Sequence, residues 1–317
     1  MAERCTIGVD LGGTKVLAGA VGPGVEVLAR VHRRIAGMDR EALFATVTAE
    51  VEELIAAVGP ERVDGIGFGI PSLIDRRTGV SVRCVHLPLD GVRFGAEMEQ
   101  RLRRPVVVDN DANCAVVAEW RHGAAAGASD VVLLTLGTGV GGGLVLGGSV
   151  YRGSMGAGAE LGHMVVDFDG PECFGGCPNR GCLEALASGS ALERDAAAAV
   201  GEHPFSTLAD APGPITGEAI VAAARVGDEF ACGLLASLGC RLGAGLASLV
   251  NAFNPQVIVV GGGLMNGGEL ILGPARDEML ARALPPSRDN VRVEAAALGE
   301  DAGLIGAAIL AREGGEG

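Results

Sequence analysis

Several short stretches of this 317-residue chain hold residue types that can do chemistry together. The first is Asp10-Leu-Gly-Gly-Thr-Lys15. Gly12 and Gly13, lacking Cβ, let backbone N–H groups close on phosphate oxygens; Thr14 adds a hydroxyl, and Asp10 suits a metal ion or its water. A plain hairpin turn would account for the glycine pair equally well. Lys15 weighs toward phosphate: it is the only lysine among 25 basic residues, and a compact ammonium suits a phosphate. A second turn, Gly137-Thr138-Gly139 running on to Gly143, can clamp phosphates from another direction. A third cluster, Gly261-Gly262-Gly263, follows an apolar strand, opens a candidate helix and can admit an adenosine to the backbone.

Asp109-Asn110-Asp111 ends an apolar run directly before a predicted helix over 112–122. Ligands of α/β sheets sit at strand C-termini, and a carboxylate there can accept the proton of a sugar hydroxyl while Asn110 fixes its neighbour. The same residues also make a routine helix N-cap.

The most specific set is His163, Cys173, Cys177 and Cys182, spaced by ten, four and five positions through a Gly/Pro-rich stretch. One imidazole and three thiolates form a closed tetrahedral site with no position left for water, which is structural zinc, Zn2+. The alternative is four unrelated loop residues. Glu160 and Glu184 bracket the set and can present two carboxylates to a polyol, with the metal fixing the loop that carries them.

These residues need elements to hold them. Thr6–Asp10 reads as a buried strand, followed by the first glycine turn and a strand over 16–21. The run 131–136 leads likewise into the second glycine turn and a strand over 144–146, so one supersecondary unit occurs twice. An apolar stripe at Leu43, Val47, Val51, Leu54 and Val58 predicts a helix capped by Asp39. Buried strands are expected over 63–68, 106–108 and 256–260. The layout resembles that of the actin-like (ribonuclease-H-like) ATPases, so an α/β chain of two such domains flanking an active-site cleft is expected. The first domain is expected over 1–120, with residues 299–317 returning to it, and the second, carrying the zinc loop, over 121–298.

Composition narrows the classes further. With 48% hydrophobic residues the chain can bury a large core, and a net charge of −14 repels phosphate backbones, so no nucleic-acid partner is expected. Single Trp and Tyr residues argue the same way against a base-stacking surface. The uncharged run 242–268 is broken by Asn254-Pro255 and three glycines, and 131–151, uncharged too, holds seven glycines; both read as core segments rather than membrane spans. No leader segment is visible, so the expectation is a cytoplasmic protein in which clustered cysteines mean metal rather than disulfide.

Taken together, the motifs Asp10–Lys15, Asn110-Asp111-Ala-Asn113, Leu136-Gly-Thr-Gly139, Glu160-Leu-Gly-His163, Cys177-Pro-Asn-Arg-Gly-Cys182-Leu-Glu184 and Val259-Val-Gly-Gly-Gly263 resemble the ROK family of bacterial sugar kinases and repressors. The resemblance covers nearly the whole length and is nearest to the family's glucokinases. It implies ATP-dependent phosphorylation of a hexose at its 6-hydroxyl, with glucose giving glucose 6-phosphate. It further implies that Asp111 is the catalytic base and that Asn110, Glu160, His163 and Glu184 hold the other hydroxyls. Asp10, Gly12, Gly13, Thr14, Gly137 and Thr138 would surround the phosphates and Mg2+. His163 would turn one ring nitrogen to zinc and the other to sugar. A homodimer or homotetramer is expected.

This sequence departs from the family's pattern at three places. The family usually has Cys-x-Cys where two extra residues separate Cys173 from Cys177, which bears on Cys173 as a ligand. Asp109 stands where Glu is usual. His86 stands where these kinases usually carry a sugar-contacting Asn, which bears on the choice of sugar. The alternatives are a kinase for an N-acetylhexosamine, fructose or allose, polyphosphate as donor, and a non-catalytic sugar-responsive regulator. The regulator would need an N-terminal DNA-binding domain, for which a first strand at Thr6 leaves no room.

Overall fold

A computed structural model describes residues 3–315 of the chain. Its first sheet is built from β1 (Cys5–Leu11), β2 (Lys15–Val21), β3 (Val27–Arg34) and β4 (Val63–Ile70). A small hairpin, β5 (Leu73–Asp75) and β6 (Val80–Arg83), precedes its last strand, β7 (Val106–Asn110). The strand order is β3-β2-β1-β4-β7. β1 and β2 run antiparallel, as do β2 and β3, whereas β1–β4 and β4–β7 are parallel. A second sheet repeats this order as β10-β9-β8-β11-β12, with β8 (Val131–Leu136), β9 (Val140–Leu146), β10 (Ser149–Val150), β11 (Val257–Gly261) and β12 (Arg292–Ala295). The duplication visible in the glycine turns is thus a duplication of whole sheets.

β9 begins four residues before the expected strand. Gly141, Gly142 and Gly143 are strand rather than turn. A side chain on Gly143 would come within 2.8 Å of the Ala112 carbonyl oxygen, so this glycine serves packing. Two compact units result. One holds the described residues up to Gly127, with Gly143–Ala159 and those from Ala297 on; the other holds Ala128–Gly142 and Glu160–Ala296.

In the first unit, Leu43, Val47, Val51 and Leu54 of the helix Arg40–Val58 are buried, and the Asp39 side chain accepts from the Ala42 amide at that helix's start. Phe44 and Phe68 each pack on Phe94 at 5.3 Å between ring centroids. The helix Ala302–Arg312 lies so close to the sheet that a Cβ on Gly8 would fall 1.9 Å from the Leu304 carbonyl oxygen. Only glycine permits that approach.

In the second unit, the helix Glu229–Phe253 is long and apolar enough, by length and composition, to cross a membrane. Its glycines point to packing instead: Gly239 and Gly243 sit against the carbonyls of Ile271 and Ala275 on the helix Glu269–Arg282. Asn254 ends the long helix in the left-handed conformation, at φ 46°.

One buried carboxylate ties the first unit together. Glu119, on the helix Asp111–His122, accepts from the amides of Ala124 (2.8 Å), Leu298 (2.8 Å) and Ala297 (3.1 Å). Replacing Glu119 by Ala strands three N–H donors and should cost about 3 kcal/mol. Thermal unfolding should register this as a Tm drop of roughly 6–10 °C, with Glu119→Gln losing less because its amide oxygen still accepts. An unchanged Tm in Glu119→Ala would contradict the role given to this carboxylate.

Candidate functional site

The parallel strands β1 and β7 carry the acidic residues of the first unit to their C-terminal ends. Asp10 is the sixth residue of β1, and the turn that follows is closed by the Gly12 amide donating to the Lys15 carbonyl at 2.8 Å. Gly303 lies against the Asp10 carboxylate: a Cβ there would be 2.5 Å from Asp10 Cγ. The Asp10 carboxylate therefore sits in the first turn of the helix Ala302–Arg312, which favours negative charge. Even so, the surrounding protein pushes Asp10 up to about 7, chiefly by burial and then by the charge of Asp111; Lys15 opposes this. Part of Asp10's surface stays open to solvent, so a ligand can reach it. Lys15 itself is the first residue of β2 and lies 3.9 Å from Glu300, with half its side chain exposed.

Asn110 and Asp111 sit where β7 gives way to the next helix. The Asn110 side chain caps that helix, accepting from the amides of Ala112 (2.9 Å) and Asn113 (3.2 Å). Asp111 is the first helical residue, and its Oδ1 also accepts from Ala112 N at 2.9 Å. The cap and the candidate base are thus built from the same peptide groups, and neither of the two readings of this motif excludes the other. Burial raises the Asp111 pKa above the usual carboxylate range, while hydrogen bonds from Ala112 and the charge of His86 pull it back. His86 packs on the first glycine turn; a Cβ on Gly13 would lie 2.7 Å from His86 Cβ.

Sequence reasoning missed Arg152. Its Nε donates to Asp109 Oδ2 at 2.7 Å, and both side chains are largely buried. A signal was present, because Arg152 is the only charged residue between Asp130 and Glu160.

In the second unit the turn Gly137–Gly139 is closed by Gly137 N donating to Gly139 O at 3.0 Å. Ser190 Oγ donates to the Thr138 carbonyl at 2.9 Å, so the helix Gly189–Ala199 braces the turn. Glu184 adds to this: its Oε2 accepts from Val140 N at 2.9 Å, and a side chain on Gly139 would collide with it. The third glycine cluster differs from expectation. Gly261 closes β11, but Gly262 takes φ 91° against the Leu136 backbone, and a 3-10 turn over Gly263–Gly267 follows. The helix Glu269–Arg282 starts only there, because Gly268, also at positive φ, interrupts the path.

His163, Cys173, Cys177 and Cys182 come together, with all four candidate ligand atoms within 4.8 Å of one another. His163 Nδ1 lies 3.5 Å from Cys173 Sγ, and Cys177 Sγ is 3.9 Å from Cys182 Sγ. A tetrahedral zinc with bonds of about 2.3 Å to sulfur sets its ligands about 3.8 Å apart, so the spacing fits. Burial and the neighbouring thiols push Cys173 upward, so this thiol resists ionising without a cation. The extra residues before Cys177 are absorbed by Gly175 and Gly176 at positive φ, which keeps Cys173 in the group. Nδ1 faces the thiols, which leaves Nε2 of His163 for another partner. Glu160 immediately precedes the short turn Leu161–His163.

The ROK family model matches residues 6–314. The chain is 35% identical to a glucokinase of Halalkalibacterium halodurans over 99% of its own length and 96% of that protein's. It is 38% identical to a glucokinase of Streptomyces coelicolor, over 97% and 98% respectively. Its structure superposes with a TM-score of 0.87 and 37% identity on the crystal structure of a ROK family glucokinase from Streptomyces griseus in complex with glucose and AMPPNP, covering 98% of this chain and 99% of that one. The two α/β units are therefore actin-like domains. If the cluster holds metal, elemental analysis should find about one zinc per chain, and Cys177→Ala should lose metal and stability together. Metal retained at full occupancy by Cys177→Ala would remove that residue from the set. The chain belongs to the ROK family.

Proposed function

We propose that this chain is a sugar kinase that transfers the γ-phosphoryl group of ATP to the 6-hydroxyl of glucose. The observation that carries the reading is the grouping, within one unit, of the glycine turn 12–14, the acidic Asp10 and the candidate base Asp111 at the ends of parallel strands. The glucokinase relatives, similar over almost the entire chain, support glucose as the sugar.

Asp111 takes the proton of the sugar hydroxyl as its oxygen bonds to the γ-phosphorus, and the bond from that phosphorus to the bridging oxygen breaks to release ADP. Its raised pKa makes it a stronger base than an ordinary aspartate, at the cost of a proton held to higher pH. Asn110, Glu160, His163 through Nε2, and Glu184 hold the remaining hydroxyls. The amides of Gly12, Gly13, Thr14, Gly137, Thr138 and Gly139 face phosphate oxygens, Lys15 adds a cation, and Gly261–Gly263 line the adenosine. Asp10 fits Mg2+, because two carboxylates near one lysine are short of positive charge. Bound with the nucleotide, Mg2+ supplies charge to the phosphate oxygens. Held by His163, Cys173, Cys177 and Cys182, zinc would fix the loop between His163 and Cys182 and hence the carboxylates beside it. The same reading gives a cytoplasmic enzyme assembled from two or four chains.

Asp111→Asn keeps the shape and removes the proton acceptor, so steady-state assays should show kcat down by about 10²–10⁴ with glucose binding within a few-fold. Near-normal turnover would sink the assignment. In the wild type, activity should fall on the acid side at a pH above the ordinary carboxylate range, since a raised acid pKa means that the base form is lost earlier as pH falls. His86 offers one donor and one acceptor in a bulkier ring than Asn. His86→Asn should lower KM for glucose about threefold to tenfold and leave kcat largely alone; unchanged KM values for every sugar would remove His86 from the sugar's surroundings.

A further inference from the structure

Asp109 is the residue through which the base is aimed, and it is held from behind. Its Oδ1 accepts from Asn110 N at 2.8 Å and from Asn113 Nδ2 at 2.9 Å. These are the cap residue and the third residue of the helix that begins at Asp111, so one carboxylate oxygen sets the geometry on both sides of the base. The other oxygen, Oδ2, takes the Arg152 guanidinium at 2.7 Å. Asp109 is 14% exposed and Arg152 5%. Arg152 is itself fixed in a tight loop: its carbonyl accepts from Gly158 N at 2.9 Å, and Gly158 packs so closely on residues 152 and 153 that a Cβ there would fall 2.8 Å from their backbone.

We propose that Arg152 is a positioning residue for the phosphoryl-transfer step, acting through Asp109 to hold Asn110 and Asp111 in their working orientation. This rests on the reading of Asp111 as the base. A carboxylate on a single torsion can turn, and turning would release either Asn110 or Asn113. A guanidinium bound to one oxygen removes that freedom, because it fixes which oxygen faces the helix. The pair also explains how an aspartate serves at this position: the short side chain reaches the arginine and the helix simultaneously. Arg152 Nη2 is buried without an acceptor among the described residues, so the arginine is kept at a desolvation cost that packing alone would not require. A methionine of similar length would fill the space more favourably if filling were its task.

The test compares Arg152→Met, Arg152→Lys and the double variant Asp109→Asn/Arg152→Met with the wild type, in thermal unfolding and in kinetics on glucose and ATP. Arg152→Met leaves Asp109 buried and unpaired, so Tm should fall and kcat should drop about tenfold to a hundredfold, with both KM values within threefold. Arg152→Lys, retaining a charge without the planar fork, should lie between. The double variant removes the unpaired charge and should recover Tm while kcat stays at least fivefold down. That split separates positioning from structural support, and it remains readable if Arg152→Met does not fold. Recovery of kcat together with Tm in the double variant, or a folded Arg152→Met with kcat within twofold of the wild type, overturns the proposal. A wild type that phosphorylates no sugar overturns the kinase reading itself, and the proposal with it; an active wild type with unaffected variants overturns only the role of Arg152.

Discussion

Three carboxylates crowd the C-terminal ends of the first unit's parallel strands, and the structure around them is organised by the need to compensate their charge. Asp10, Asp109 and Asp111 each meet a different answer. Asp109 has an arginine and two donors. Asp111 has a helix N-terminus and the amide of Ala112, with His86 nearby. Asp10 has the first turn of another helix and a distant lysine, and it remains the least compensated, held near neutrality by the protein around it. Under the kinase reading proposed above, its missing partner would come with the substrate. Compensation thus falls off from Asp109 through Asp111 to Asp10.

The second unit meets a related constraint with different atoms. Three thiols gathered beside one imidazole cannot ionise together without a cation, and the loop that carries them has little regular structure of its own. Glu184 stands next to this cluster, 3.9 Å from Cys173 Sγ, while its other oxygen closes on Val140 N. One side chain thus bridges the thiol loop and the glycine turn. Gly139 has no side chain because that carboxylate occupies the place where one would sit.

Much of this was legible in the sequence, and what was not has a common cause. The glycine turns, the strand–helix junction at Asp111 and the thiol spacing are local patterns, so residue type and separation were enough to find them. Arg152 pairs with Asp109 across 43 positions, and nothing local marks it except its isolation in an uncharged stretch. The helix expected at Gly261–Gly263 begins instead at Glu269, because Gly262 and Gly268 take positive φ and the close approach to Leu136 is a tertiary demand. Gly141–Gly143 read as turn on composition, yet they are strand because the backbone at Ala112 needs the room. Glycine announces that something unusual happens, and only the packing says which of its uses applies.

The duplication also shows how two copies of one turn came to differ. Both sheets have the same strand order, and both follow their first strand with a leucine and a glycine turn, Leu11-Gly12-Gly13 and Leu136-Gly137-Thr138. The residue before the leucine is Asp10 in the first copy and Thr135 in the second. A hydroxyl there needs no counter-charge, whereas a carboxylate would; Glu184 already lies against the adjoining turn without an arginine or lysine paired to it among the described residues. The second copy has the turn without the acid. The first copy keeps both because the helix Ala302–Arg312 ends against Asp10 with its N-terminus. Identical topology thus supports two unequal halves, and they differ at the residue before the leucine, an acid set against a helix N-terminus in one copy and a hydroxyl in the other.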